Sequence, residues 1–154
     1  MHLTKFSDFA LRVLLLAAAS GDQRVTIEDA ATAYGISQSH LKKVVRTLTG
    51  AGHLRGIKGR SGGFQLARKP EEINLGQVLR LTEPDFSTFE CFENGQSCPI
   101  FGPCRLRNVG REAVNAFLAA FDRVTLADVA LPGSAFARPG PRGTIGNAAG
   151  APHI

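Results

Sequence analysis

Apolar side chains over residues 4–20 recur at helical spacing, with Phe6, Phe9, Ala10, Val13, Leu14, Leu16 and Ala17 on one face, and Gly21 ends the run. A compact pair of elements follows. Thr26-Ile27-Glu28-Asp29 has the form of a capping box, with Thr26 as N-cap and an acid at the third helical position, which predicts a short helix over 27–34. Gly35 supplies a turn, and Ser37 is placed to cap a second helix whose Leu41, Val44, Val45 and Leu48 form a buried stripe. Ser39, Lys42, Lys43 and Arg46 share its opposite face, and Gly50 and Gly52 terminate it. Residues 54–58 and 64–67 alternate as two strands around the flexible basic tip Gly59-Arg60-Ser61-Gly62-Gly63.

Beyond Pro70, Asn74 caps a helix expected over 74–82, with Leu75, Val78, Leu79 and Leu81 apolar. Residues 83–104 are irregular, because Pro84, Gly95, Pro99, Gly102 and Pro103 break any period. Over 105–124 the residues Leu106, Val109, Ala113, Phe117, Ala120, Phe121 and Val124 describe one stripe on a helix of about five turns. That stripe needs a partner, either its own domain or the same helix of a second copy. The last 24 residues hold 5 Gly, 4 Pro and 5 Ala and little to build a core, so disorder is expected over 131–154. The fold class is mainly α: a winged helix-turn-helix with a small hairpin wing and a long C-terminal dimerisation helix. The expected divisions are a DNA-binding domain over 1–82, a loop over 83–104, a dimerisation region over 105–130 and the tail.

Two short helices joined by a glycine turn and followed by a basic hairpin suit double-stranded DNA, with the second helix in the major groove and the wing tip at phosphates or the minor groove. The contact candidates are Ser37, Gln38, Ser39, His40, Lys42, Lys43 and Arg46 on the helix, with Lys58 and Arg60 on the wing. A charge run is usually just a solvated face, and a histidine such as His40 is as readily a tolerated surface residue. The consecutive order of the elements favours DNA, and so does the charge. Residues 1–69 hold 11 Lys and Arg against 4 Asp and Glu, whereas residues 70–154 hold 7 against 9.

The irregular stretch contains all 3 cysteines of the chain, Cys91, Cys98 and Cys104, spaced Cys-x6-Cys-x5-Cys. Thiolates bind soft or borderline metals, and three on one loop can converge on an iron-sulfur cluster or a zinc ion while leaving a position for a fourth ligand. An odd count argues against a secreted disulfide framework and for a reducing cytoplasm. With 154 residues, 44% of them apolar, the chain can bury one ordinary core, and no apolar run reaches bilayer length. The stretch 11–19 is short, carries Arg12 and follows Asp8, so it reads as a buried helix and not as a signal peptide. Neither a nucleotide-binding loop nor a paired acid/base motif is present, which argues against an enzyme. A zinc-bearing winged-helix protein and an electron-transfer protein stay open at this level, the latter lacking a fourth cysteine.

The opening Leu3-Thr4-Lys5-Phe6-Ser7-Asp8-Phe9-Ala10-Leu11-Arg12, the wing Lys58-Gly59-Arg60-Ser61-Gly62-Gly63-Phe64-Gln65-Leu66 and the three-cysteine loop before a long helix resemble the Rrf-two family of bacterial winged-helix regulators, over roughly residues 1–130. Within that family the chain is most similar to repressors sensitive to nitric oxide. The resemblance implies a homodimer that binds a DNA operator and holds a 4Fe-4S cluster, or alternatively a 2Fe-2S cluster, on Cys91, Cys98 and Cys104, with the partner subunit's Asp8 as fourth ligand. Physics alone gives Asp8 only a favourable place in the first turns of a helix. A carboxylate is a harder, weaker partner for cluster iron than a thiolate, so its iron would be the corner that nitric oxide attacks, releasing the operator. A sensor of iron or redox state with the same ligands is the alternative within the family. A related regulator places a histidine three residues after its last cysteine, where this chain has Arg107, and the gap between Cys91 and Cys98 is slightly longer than the family pattern.

Overall fold

The computed structural model describes residues 2–59, 62–87, 89, 92 and 98–136. Helix α1 (Lys5–Ala19) starts at Thr4, whose hydroxyl accepts the Ser7 amide at 3.2 Å. Helix α2 (Ile27–Tyr34) opens with the expected capping box: Thr26 Oγ1 accepts the Asp29 amide at 3.0 Å, and the Asp29 carboxylate accepts the Thr26 amide at 2.9 Å. Those bonds favour the ionised acid and hold Asp29 below the usual carboxylate range. Gly35 ends α2 with φ 66°, a left-handed conformation that glycine adopts without steric cost. Helix α3 (Gln38–Gly50) then turns its Leu41, Val44 and Leu48 fully inward.

The wing pairs β1 (Leu54–Ile57) with β2 (Gly63–Leu66) antiparallel, Leu54 opposite Leu66 and Ile57 opposite Gly63. Val25 adds an isolated bridge to Phe64, with amide-to-carbonyl bonds of 2.9 and 2.8 Å in the two directions, so the wing is fastened to the segment between α1 and α2. A 3-10 turn (Pro70–Glu72) leads to α4 (Leu75–Thr82), whose Asn74 cap accepts the Gln77 amide at 3.1 Å. After the cysteine segment come α5 (Leu106–Asp122), α6 (Leu126–Val129) and a 3-10 turn (Gly133–Phe136). Ala10, Val13 and Leu14 of α1 meet Leu41, Val44 and Leu48 of α3, Val78 of α4, Leu126 of α6 and Phe64 of the wing in one core. Among the described residues no helix is long and apolar enough to cross a membrane.

Several expectations are corrected. Ser37 stands at the N-cap of α3 but makes no side-chain cap bond, because its hydroxyl lies 3.2 Å from that of Ser39. Leu81, apolar like Leu75, Val78 and Leu79, is nevertheless 39% exposed, because it lies off the face of α4 on which Leu75, Gly76, Val78, Leu79 and Thr82 are buried. Val45 is only partly covered, and the strands close one residue earlier than the alternation predicts, at Ile57 and Leu66. Part of the supposedly disordered tail is ordered, since Phe136 packs on the core with its ring edge-on to Tyr34 at 6.1 Å. The rest of that tail, 137–154, lies outside the described residues.

Phe64 is 1% exposed and belongs to both the hairpin and the core. Phe64→Ala is expected to cost about 3–5 kcal/mol, read as a lowered denaturant midpoint, with wing and core lost in one transition.

Candidate nucleic-acid interface and metal centre

Burial of Leu41, Val44 and Leu48 fixes which side of α3 faces outward, and Gln38, Ser39, His40, Lys42, Lys43 and Arg46 all lie exposed on the remaining surface together with Ser37. No acidic residue occupies the first turn of α3, so nothing on the helix itself neutralises that face. Lys58 is exposed at the base of the wing tip; Arg60 lies outside the described residues. Arg24 Nη1 reaches the Gly62 carbonyl at 3.5 Å, a cation near the wing that the sequence reading did not single out.

The N-terminal half of α1 ties together the other pieces of interest. Ser7, fully buried, donates its hydroxyl to Thr82 Oγ1 at 2.8 Å, and Thr82 donates in turn to the Val78 carbonyl. The Thr4 amide donates to the Glu83 carboxylate at 2.8 Å. These bonds clamp the start of α1 to the last turn of α4, where residues 83–104 begin. The neighbouring Phe9 ring stands 6.2 Å from His40 on α3. Asp8, which follows Ser7 and precedes Phe9 in the chain, is 43% exposed by its side chain and held by Arg12, with Nε to Oδ1 at 3.0 Å and Nη2 to Oδ2 at 2.9 Å. Arg12 lies over the Tyr34 ring, and the Tyr34 hydroxyl donates to the Arg12 carbonyl at 2.7 Å. Burial pushes that phenol up to about 12, so it stays a donor. Periodicity reveals none of these cross-element contacts.

In the cysteine segment, Cys98 and Cys104 are free thiols, each partly buried, and Cys91 lies outside the described residues. The Phe101 amide closes a turn on the Cys98 carbonyl at 3.0 Å, which places Phe101 between the two thiols in the chain. Arg107, in the first turn of α5, stacks its guanidinium 4.3 Å from the Phe101 ring centre. Its Nε is buried and has no hydrogen-bond partner among the described residues. Phe89 and Phe92 meet edge to face, 5.6 Å apart, against Gly110 of α5, where any Cβ would collide with the Phe89 ring at 2.5 Å. The described residues bring no three metal-ligating side chains together. The available donors are nevertheless soft, partly exposed and accompanied by an unsatisfied cation, a setting that fits an anionic thiolate-held cluster.

The first two turns of α5 present open apolar surface. Leu106 and Val109 are 57% and 59% exposed, whereas farther along the half-buried Phe117 and Phe121 rings stand tilted 5.1 Å apart, with Phe121 packed on the core. At its far end Arg80 of α4 grips Asp122, Nη2 to Oδ2 at 2.9 Å, and Asn74 Nδ2 donates to the Asp122 carbonyl at 2.7 Å. α5 is therefore fixed to the winged-helix body at one end and to the cysteine segment at the other.

A family model for Rrf2, described as iron-dependent transcriptional regulator, matches residues 3–131. The chain is 44% identical over 131 residues to the HTH-type transcriptional regulator NsrR of Geobacillus kaustophilus, an alignment that spans 84% of this chain and 89% of that protein. It is also 44% identical over 131 residues to the NsrR of Bacillus subtilis, spanning 84% and 90%. In fold it superimposes on the crystal structure of Staphylococcus aureus CymR in its oxidised form with TM-score 0.67 at 24% identity, covering 84% of this chain and 96% of that one.

Neutralising Lys42, Lys43, Arg46 and Arg60 together should weaken operator binding and flatten its salt dependence, each lost phosphate contact lowering the log–log slope by about 1. Binding isotherms across a salt series read this directly; an unchanged slope would remove α3 and the wing as the DNA-facing surface.

Proposed function

The chain belongs to the Rrf2 family of transcriptional regulators, the Rrf-two family of the sequence resemblance, and from that premise we propose that it is a homodimeric repressor whose hold on its operator depends on a 4Fe-4S cluster and is released by nitric oxide. Its role is regulatory, not enzymatic, as in its relatives. In this reading Cys91, Cys98 and Cys104 hold the cluster on one subunit, the partner subunit's Asp8 completes it, and α5 supplies the two-fold seam. When bound, the cluster offers nitric oxide an iron corner held by carboxylate, a ligand more easily displaced than thiolate.

The position of Asp8 carries the reading. Its carboxylate is accessible at the surface, while Ser7 on one side is bonded to Thr82 and Phe9 on the other packs near His40. A pull on Asp8 therefore acts on the stem of the cysteine segment and on the start of the recognition helix at once. Arg12 gives the freed carboxylate an alternative partner, and Tyr34 links Arg12 to the last turn before the helix-turn-helix glycine. Exchange of Asp8 between the partner subunit and Arg12 would change the constraint on α1, and with it the tilt of α3. The exposed Leu106 and Val109 supply apolar surface for the seam.

The family's description as iron-dependent favours one second reading, in which the same ligands report iron supply. Titrating anaerobic protein with nitric oxide, and separately with an iron chelator, while operator binding is followed separates the two: release by nitric oxide at low stoichiometry supports the first reading, and release only on chelation supports the second.

Replacing Cys91, Cys98 or Cys104 by Ala should abolish the visible charge-transfer absorption of the anaerobically purified protein and derepress its targets; full repression by a cluster-free variant would defeat the proposal. Asp8→Ala should leave melting behaviour nearly intact, because the Asp8–Arg12 pair is exposed and such pairs contribute about 0–1 kcal/mol. It should make the cluster more labile, alter the kinetics of its reaction with nitric oxide and weaken DNA binding. Asp8→Cys, with a softer ligand, should retain a cluster that responds more slowly. Unchanged spectra, kinetics and affinity in Asp8→Ala would return Asp8 to an ordinary helix-terminal acid.

A further inference from the structure

Arg107 occupies a physically awkward place. It sits in the first turn of α5, where the helix dipole favours acids, and that turn contains no acidic residue and no side-chain cap. Its neighbour Arg105 adds a second cation at the same helix end. The guanidinium is immobilised over Phe101, with its Nε withdrawn from water and without an acceptor among the described residues. A buried donor nitrogen of a charged group left without an acceptor is costly, so a site that keeps one calls for an anionic acceptor. Cys104 lies three positions earlier in the chain, and Phe101, the ring under the guanidinium, bonds its amide to the Cys98 carbonyl.

We infer that Arg107 is a positioning residue for the cluster: it balances the excess negative charge of the thiolate- and carboxylate-ligated core and donates its Nε–H to a sulfur of that assembly. This rests on the cluster reading above. Three thiolates and one carboxylate outweigh the dipositive core of an oxidised 4Fe-4S cluster, so the assembly is net anionic. A fixed guanidinium favours it, and favours its reduced form still more. Hydrogen bonds and cations at cluster sulfurs raise the reduction potential, and outer-shell partners of this kind also govern retention. Stacking on Phe101 keeps the cation in place and gives the two-thiol turn a rigid face, a role a mobile lysine would fill less well.

The test uses the full-length dimer purified without oxygen, with iron and sulfide content, dye-mediated potentiometry and the lifetime of the visible absorption under a chelator as readouts. Arg107→Gln should still assemble a cluster, with a midpoint potential shifted to more negative values and about tenfold faster loss to chelator. Arg107→Lys, which keeps the charge, should hold the potential near that of the parent protein while losing part of the retention. A loaded Arg107→Gln protein with parental potential and lifetime would overturn the inference. If Arg107→Gln takes up no cluster, Arg107→Lys decides: a loaded protein of near-parental potential supports the charge role, and a cluster-free one shows that Arg107 only scaffolds the turn. Absence of any cluster from the parent protein would instead sink the proposed function.

Discussion

Everything in this molecule leans on the exclusion of one face of α1 from water. Ala10, Val13 and Leu14 have no exposed surface and Ala17 has 1%, and against them lie α3, α4, α6 and the second strand of the wing. Small side chains at Ala10 and Ala17 let those elements approach closely, and interiors packed at crystal-like density do not deform gradually. A displacement imposed on α1 is therefore passed to the recognition helix and to α4 more readily than it is absorbed. The buried Ser7–Thr82 hydrogen bond adds direction to that packing, since breaking it would strand a hydroxyl in an apolar setting at a cost of about 1–3 kcal/mol.

This arrangement divides the chain into a stiff body and working parts attached at its rim. The wing is fastened through Val25 and Phe64, α5 through Arg80, Asn74 and Asp122, and the cysteine segment through Thr82 and Glu83. α5 contributes little to the core of its own chain: Gly110 is its one buried residue, and Leu106 and Val109 are largely open. A helix of 17 residues that leaves Leu106 and Val109 open is the surface on which the proposed two-fold seam rests.

The parts of this design that were legible in the sequence are those encoded locally. The Thr26–Asp29 box, the glycine at the turn and the period of α3 each need only a few consecutive residues, and each stands where the sequence placed it. Ser37 failed as a cap because a competing hydroxyl two residues on took its side chain. Helix α6 was overlooked although Thr125 and Asp128 repeat the Thr-x-x-Asp spacing of Thr26 and Asp29, with the Asp128 carboxylate accepting the Thr125 amide, because four residues with one buried leucine show no period. Phe136 looked like part of an inert tail, since only the folded Tyr34 gives it a surface to pack on. Of the expected contact residues, Ser37, Gln38, Ser39, His40, Lys42, Lys43, Arg46 and Lys58 do lie exposed, as a solvent-facing helix period predicts. The wiring between elements was not legible: Ser7 to Thr82 spans 75 positions, and Phe9 reaches His40 only once α1 and α3 have packed. Asp8 is the limiting case, for its pattern with Arg12 reads as a routine ion pair four residues apart, and the ligand role proposed for it is one that the spacing of a single chain would not encode.

That routine pair bears on how a sensor of this kind would switch. An exposed carboxylate–guanidinium contact is worth only about 0–1 kcal/mol, too little to compete with a bond to cluster iron, so Arg12 would yield Asp8 whenever the cluster is intact. Under the proposed function the contact would matter after the cluster is lost, because the freed carboxylate would find a charged partner on its own helix, as it does in this structure. Allosteric effects need only about 1–3 kcal/mol of difference between two states to change affinity some five- to 150-fold. In the proposed switch a weak intrahelical pair set against a stronger bond across subunits would give a bias of the right sign, and Tyr34, bonded to the Arg12 carbonyl, lies at the point where a relaxation of α1 would enter the helix-turn-helix.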